Sequence, residues 1–356
     1  MSLNIAIIGA GMAGITAART LVQAGHRVQV FEAESTVGGR MASCSTPHGN
    51  FDHGTQYFTV RDQRFWKALQ TVPGTRELCR PWSVNAVRVL DPFGRVLEAG
   101  HNKGEPHFVA SPGMQTLVQH WAQPLGAAVH LDTQVHALTR GPKGFWSVTT
   151  QRAEGDRKKH KEHDGFDRVL LATPSTITEG LLRTVGANAA CAQMLDRIAP
   201  VRMAPCWTLM LAFPNASQPN LPYLGPQWNA ARSTHHRVSW LARESSKPGR
   251  GSIERWTVQA SPSWSQEHLQ DKASRAEAKL LRAFAELTGI RATPVFTQMH
   301  RWLNAKTEVP LGMSHQYHPE AGVGTCGDWH LGHRLEHAFV SGLELALNVC
   351  SSAHRL

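Results

Sequence analysis

"LNIAIIGAGMAGITAARTLVQAGHRVQVFEAE", residues 3–34, is the stretch that decides the fold. Leu3 to Ile8 is a short apolar run of the kind a parallel strand buried on both faces requires, and it halts at Gly9. Gly9, Gly11 and Gly14 complete G-x-G-x-x-G. The following segment predicts a helix over 12–24, with Ile15, Ala18, Leu21 and Val22 inward and Gly25 as the residue that ends it. "RVQVFE" then predicts a second strand closed by Glu32. In such a unit the first glycine permits a tight turn, the second lets a pyrophosphate approach the backbone, and the third lets helix pack on strand. Met12 and Ala13 open the helix, whose free N–H groups and dipole attract phosphate, and Glu32 stands where a carboxylate accepts hydrogen bonds from a ribose. Strand, glycines, helix, strand and terminal acid in register point to dinucleotide binding.

The size and composition agree with a folded protein. The 356 residues are 41% hydrophobic and 18% charged, which suits one large core or two domains and argues against disorder. No run approaches the roughly 20 apolar residues of a membrane span, and the chain opens on a strand pattern without a signal-like segment, so a cytoplasmic protein with no membrane partner is expected. Cys44, Cys79, Cys191, Cys206, Cys326 and Cys350 are scattered without C-x-x-C spacing, which predicts reduced thiols. The formal charge of +10 favours anionic partners only where basic residues converge. "RAEGDRKKHKEHDGFD" (152–167) mixes acids with bases and lacks interleaved aromatics, so a solvated hairpin is expected there, and no nucleic-acid partner.

"STVGGRMAS" (35–43) distinguishes among dinucleotides. Gly38, Gly39, Arg40 and Met41 follow the acid of the second strand, and the arrangement resembles the glutathione-reductase-type flavoproteins of the amine oxidase branch. The resemblance implies FAD, with Gly39, Arg40 and Met41 at the cofactor and the arginine on its phosphate. A guanidinium suits that task because it pairs two oxygens and keeps its charge. By the same resemblance, "FDHGTQYFTVRDQRF" (51–65) runs beneath the flavin ring with Gln56 and Tyr57, Val135 of "LDTQVHAL" meets the adenine, and Thr173 of "FDRVLLATPS" ends a strand of the FAD domain.

Longer strings narrow the resemblance. "GTQYFTVRDQRF", "SPGMQTLV", "SWLARESSKPGR", "SPSWSQEHL", "MHRWLNA" and "CGDWHLGHRLEHAFVSG" are similar, in unbroken order, to the bacterial form of the renalase family. That similarity implies an α/β fold: a Rossmann-type FAD-binding domain with a second, mainly antiparallel-sheet substrate domain, in an amine oxidase-like, p-hydroxybenzoate hydroxylase-like topology. The FAD domain is then discontinuous, over 1–65, 107–173 and 296–356, and the substrate domain covers 66–106 and 174–295. The implied reaction oxidises 2- or 6-dihydro isomers of NAD(P)H to NAD(P)+, with electrons passing from FAD to O2 as hydrogen peroxide. An amine or amino-acid oxidase is the alternative, although no lysine is assigned to the flavin side. The flavin carries the hydride chemistry, and no side chain is assigned as acid or base. Tyr57, Phe58, Arg61, Phe108 and Arg334 are the implied substrate residues. Tyr57 and Phe108 also suit plain core aromatics, and Arg61 a surface pair with Asp62.

His330, His333 and His337 sit at a spacing that one continuous helix would bring to a single face, with Asp328 as a further ligand for zinc. The family resemblance implies otherwise: Asp328 bonds the cofactor, a helix starts near Leu335 and Glu336 with its N–H groups toward the flavin, His330 precedes that helix, and no metal is expected. The family usually has glycine at His337, so this side chain is expected to crowd the flavin edge or touch substrate, while His333 shapes the pocket. Downstream strands at 205–213 and 253–264 are expected to roof the flavin, and 270–289 is expected to form a helix with Leu280, Leu281, Phe284 and Leu287 inward.

Overall fold

A computed structural model describes residues 2–82, 87–99, 105–154, 157–216 and 225–353. Asn4–Ile8 is the central strand of a six-stranded sheet, flanked by Arg27–Phe31 on one side and Arg168–Leu171 on the other, both parallel to it. Val323–Thr325 extends the sheet in parallel and Gln316–His318 closes that edge antiparallel. Ile5, Ala6 and Ile7 are fully buried, as an unbroken apolar strand with layers on both faces must be. Each isoleucine so buried stabilises the fold by roughly 1.5–3 kcal/mol.

The helix after the glycines spans Met12–Gln23 and ends at Gly25, whose φ of 86° a glycine adopts without strain. Ile15, Ala18 and Leu21 face inward as expected, but Val22 is 41% exposed. It falls one position past Leu21, about 100° around the helix, and so leaves the buried stripe.

The second sheet has seven strands in the order Phe296–Val309, Arg202–Phe213, Glu254–Ala260, Val238–Arg243, Ala230–Ser233, Val87–Leu90 and Val96–Ala99. Its pairs are antiparallel except Ala230–Ser233 with Val87–Leu90. Along Arg202–Phe213 the faces alternate. Trp207, Leu209 and Leu211 pack toward the helix Ala273–Thr288 through Leu280, Ala283, Phe284 and Leu287, whereas Met210 and Ala212 meet Phe51. Leu281 is only half-buried at the edge of that packing.

Two stretches fall on the other side of the expected domain boundary. Helices Ser175–Arg183 and Ala189–Ile198 place Leu181, Leu182, Met194 and Ile198 in one core with Ala6, Ile8 and Phe31 of the dinucleotide sheet. The strand Phe296–Val309, expected within the FAD domain, pairs in the roof sheet. The charge run folds as the hairpin Trp146–Glu154 and Arg157–Phe166, with 155–156 outside the described residues. All six cysteines are free, and no helix among the described residues is long and apolar enough to cross a membrane.

Beneath the roof lies an ionic cluster that sequence inspection missed. Asp52 and Glu244 meet Lys247 and Arg250, all four side chains fully buried: Lys247 Nζ lies 2.9 Å from Asp52 and from Glu244, and Arg250 lies 2.7 Å from Asp52 and 3.3 Å from Glu244. Burial pushes the Asp52 carboxyl up, but the Lys247 and Arg250 charges outweigh it and hold the group down at about 2. Lys247 also reaches Gln56 Oε1 at 3.4 Å, so the cluster fixes the start of the segment 52–58.

Candidate active site

Two adjoining cavities open between the sheets, and Arg40, Thr55, Trp302, Ala305, His333, Arg334 and Leu335 form their common wall. The first, of about 420 Å³, follows the glycine turn. A Cβ on Gly14 would lie 2.0 Å from the Gly9 carbonyl oxygen, and one on Gly9 would lie 2.8 Å from that of Ala172, so these two glycines answer to packing within the protein. A Cβ on Gly11 would meet nothing within 4 Å. Gly11 therefore leaves room on the cavity side, which is the cradle a pyrophosphate requires. Met12 and Ala13 line the cavity at the helix start. Glu32 lies just beyond its strand and accepts the N–H of Ala10 at 2.7 Å and of Glu34 at 3.0 Å. Burial raises its carboxyl above the ordinary range against those two bonds. Val135 and Thr173 line the far end, with Thr173 held by Thr178 at 2.9 Å.

Gly39, Arg40 and Met41 form a short turn at the cavity edge. Arg40 is bidentate to Asp328, with one N–H···O contact of 2.8 Å. The sequence reading treated these two as separate cofactor residues; the fold makes them a pair. The nineteen-residue helix Leu335–Ala353 begins at the common wall with Leu335. Glu336 turns away from both cavities: its carboxylate accepts the backbone N–H of Arg61 at 2.7 Å and of Asp62 at 3.0 Å, and pairs with Arg334 at 2.6 Å. Any part Glu336 plays toward a cofactor falls to its main chain.

The second cavity, of about 660 Å³, lies under the roof. Gln56, Tyr57, Phe58, Arg61 and Arg334 all line it, as does Glu105, which pairs with both Arg61 and Arg334 and is held at about 2, below the usual carboxylate range, chiefly by its bond to Arg61. Asp62 instead caps the helix Gln63–Thr71 and pairs with Arg64, so the alternative pairing of Arg61 with Asp62 does not form. Phe108 does not line the cavity. It stacks on Phe58 and tilts against Trp66, while His107, one residue earlier, lines the cavity and stacks on Tyr57 at 4.1 Å. The strand's alternation decides which of the two neighbours faces in. Burial, aided by the Arg232 charge, lowers His107 to about 4, so it is neutral at physiological pH.

The roof contributes residues that sequence inspection passed over: Arg232, Trp240, Gln259, Trp302 and Lys306. Arg232, Trp240 and Gln259 are successive register partners across three strands and therefore share one face. Gln259 donates to the Gly54 carbonyl at 2.7 Å and Trp302 to the His53 carbonyl at 2.9 Å, which bolts the segment 52–58 to the roof. No local motif marks these residues; only strand pairing brings them together.

The three histidines do not share a face. His330 is buried in the short turn Asp328–His330 and bonds Thr325 Oγ1 at 3.1 Å, His333 lies at the common wall, and His337 is in the helix. No group of three His, Cys, Asp or Glu among the described residues is placed to hold a metal. His337 lines neither cavity, and its ring packs where a Cβ on Gly332 would be, 2.9 Å from Nδ1.

A Rossmann-like dinucleotide-binding fold joined to an amine-oxidase-like, sheet-roofed part is the architecture of a flavin-dependent oxidoreductase. Residues 7–72 match the NAD(P)-binding Rossmann-like domain, and residues 97–346, more than half of the chain, match flavin containing amine oxidoreductase. The chain belongs to that flavin-containing family, and its cofactor is FAD. Among curated proteins, it is 55% identical over 40 residues to an L-amino-acid oxidase of Siganus canaliculatus, 11% of this chain and 8% of that one. It is 46% identical over 48 residues to the zeta-carotene desaturase of Synechocystis sp., 14% of this chain and 10% of that one. The match thus spans about a tenth of each relative. Among solved structures, a candidate protoporphyrinogen oxidase from Exiguobacterium sp. 255-15 aligns over 99% of both chains with a TM-score of 0.75 at 12% identity. Cyclohexylamine oxidase from Brevibacterium oxydans IH-35A aligns over 100% of both with a TM-score of 0.72 at 13% identity. At such identities the likeness is one of fold.

Proposed function

We propose that the protein oxidises 2- or 6-dihydro isomers of NAD(P)H to NAD(P)+, with O2 as the final electron acceptor. The observation that carries this reading is the charge of the substrate cavity. Arg40, Arg61, Arg232, Lys306 and Arg334 line it, against the single carboxylate of Glu105 among the described residues. Such a wall attracts a phosphorylated substrate and repels the ammonium group of an amine, which disfavours the amine oxidase alternative. Tyr57, stacked on His107 and 5.4 Å from the Trp240 ring, offers an aromatic surface for a flat heterocycle. When bound, FAD supplies the hydride acceptor and hands two electrons to O2, giving hydrogen peroxide. Loss of hydride from a dihydropyridine ring leaves an aromatic pyridinium and needs no proton transfer, so a neutral His107, and no free carboxylate among the described wall residues, are sufficient. The chain's contribution is to orient the ring and exclude water. Arg40 and Asp328, with Gly11, Glu32, Val135 and Thr173, would hold the cofactor, and Gln56, Tyr57, Phe58, Arg61 and Arg334 the ring side of the substrate.

The test is anaerobic stopped-flow reduction of the holoenzyme. Rapid flavin bleaching by a 2- or 6-dihydro isomer, with none by a panel of primary amines and amino acids, is the expected result. Bleaching by an amine and not by either isomer would overturn it.

A further inference from the structure

The cations of the substrate cavity fall into two groups. Arg40 is paired with Asp328, Arg61 with Glu105, and Arg334 with Glu105 and Glu336. Arg232 and Lys306 have no carboxylate partner among the described residues, though both line the cavity and both are exposed. Arg232 donates to the Tyr57 hydroxyl at 3.4 Å. A cation kept unpaired at a wall that already holds other cations is unfavourable until an anion enters.

Their placement is equally informative. Arg232 is on Ala230–Ser233 and Lys306 on Phe296–Val309, four strands apart in the roof, which is roughly 19 Å at about 4.8 Å per strand. Arg232 shares its face with Trp240 and Gln259, so it belongs to the cavity wall and not to the outer surface of the sheet. The two cations therefore flank the aromatic surface from opposite sides. Long side chains let both reach toward an anionic centre, the guanidinium by a two-oxygen contact and the ammonium as a point charge.

We infer that Arg232 and Lys306 bind the phosphates of the substrate, so that the cavity is built for a phosphorylated dinucleotide and not for the reducing ring alone. This rests on the dihydro-NAD(P) reading but is tested separately from it. NADP+ binding to the holoenzyme is measured by calorimetry for wild type, R232Q, K306Q and the double variant at two salt concentrations. Anaerobic flavin reduction by 2-dihydro-NADP and by the phosphate-free 2-dihydronicotinamide riboside runs alongside. Each single substitution is expected to raise the Kd for NADP+ about tenfold, and the double substitution to raise it further and flatten its salt dependence. Flavin content is expected to stay at its wild-type value, and reduction by the riboside to fall far less than NADP+ binding does. An unchanged Kd in the double variant, an equal loss for the riboside, or no NADP+ binding by wild type would overturn the inference. If NADP+ binds and weakens as expected while neither these reductants nor 6-dihydro-NADP bleaches the flavin, the reaction assigned above falls and the phosphate anchors stand. If the isomers reduce wild type and variants alike at unchanged Kd, the anchors fall and the reaction stands.

Discussion

The two cavities share a wall but are built on opposite plans. The dinucleotide cavity takes its shape from main chain: a strand end, a glycine turn and a helix start within residues 8–14, with Glu32 held by backbone N–H groups. The second cavity takes its character from side chains, gathered from the segment 54–61, from Glu105 and His107, and from five roof strands. A cofactor common to many proteins is recognised by backbone geometry that leaves little freedom. A particular substrate is selected by charges that a sheet can present in any combination.

The contrast is most sharply broken or upheld at the glycines. Gly14→Ala drives a methyl into the Gly9 carbonyl, and Gly11→Ala puts one into open cavity. Gly14→Ala should lower stability by about 3 kcal/mol or more and leave little folded flavoprotein. Gly11→Ala should keep the melting temperature of the apoprotein but retain FAD at least tenfold less well. Thermal melts with flavin-to-protein absorbance ratios measure both. Equal destabilisation by the two substitutions would mean that the first cavity is not shaped for a ligand at Gly11.

The next largest effect concerns the support under the second cavity. Lys247→Met leaves the fully buried Asp52 and Glu244 with Arg250 alone, and should cost about 3–5 kcal/mol in urea unfolding. Asp52 adds a pH signature. Its folded value of about 2 lies below its ordinary 3.8, so its contribution is complete above about pH 4 and is lost as pH falls toward 2. The variant should lose part of that acid dependence. A variant as stable as wild type, with the same acid limb, would show that the cluster does not brace the segment 52–58.

The smallest expected effect probes the charge balance of the wall. Glu105→Gln removes a carboxylate from the cavity wall and releases Arg61 and Arg334 from it. NADP+ should bind a few-fold tighter, most visibly at low salt, in a calorimetric titration. Weaker binding would mean that Glu105 matters more for holding the arginines in place than for neutralising them.

How much of this was legible in sequence follows the same division. Residues 3–34 and Gly38–Met41 carried the first cavity nearly whole, because a turn that must admit a pyrophosphate is specified by neighbours in the chain. Asp328 was found through its resemblance to a family motif, but not its pairing with Arg40, 288 positions away. In the second cavity, Tyr57, Phe58, Arg61 and Arg334 came from resemblance, and Phe108 was placed one residue off because the phase of a short strand is not written in its composition. Arg232 and Lys306 gave no local sign at all, since an arginine or lysine on a strand looks the same whether it faces bulk water or a cavity.

The sequence by itself determined a glycine-turn dinucleotide fold with a sheet-rich second part, because those depend on periodicity and on contacts among near neighbours. The tertiary structure alone decided that Arg40 pairs with Asp328, that four buried charges brace the segment 52–58, and that cations outnumber acids at the second cavity. Each of those is a matter of which strand lies beside which, and strand pairing between distant segments is fixed by the burial of the whole core.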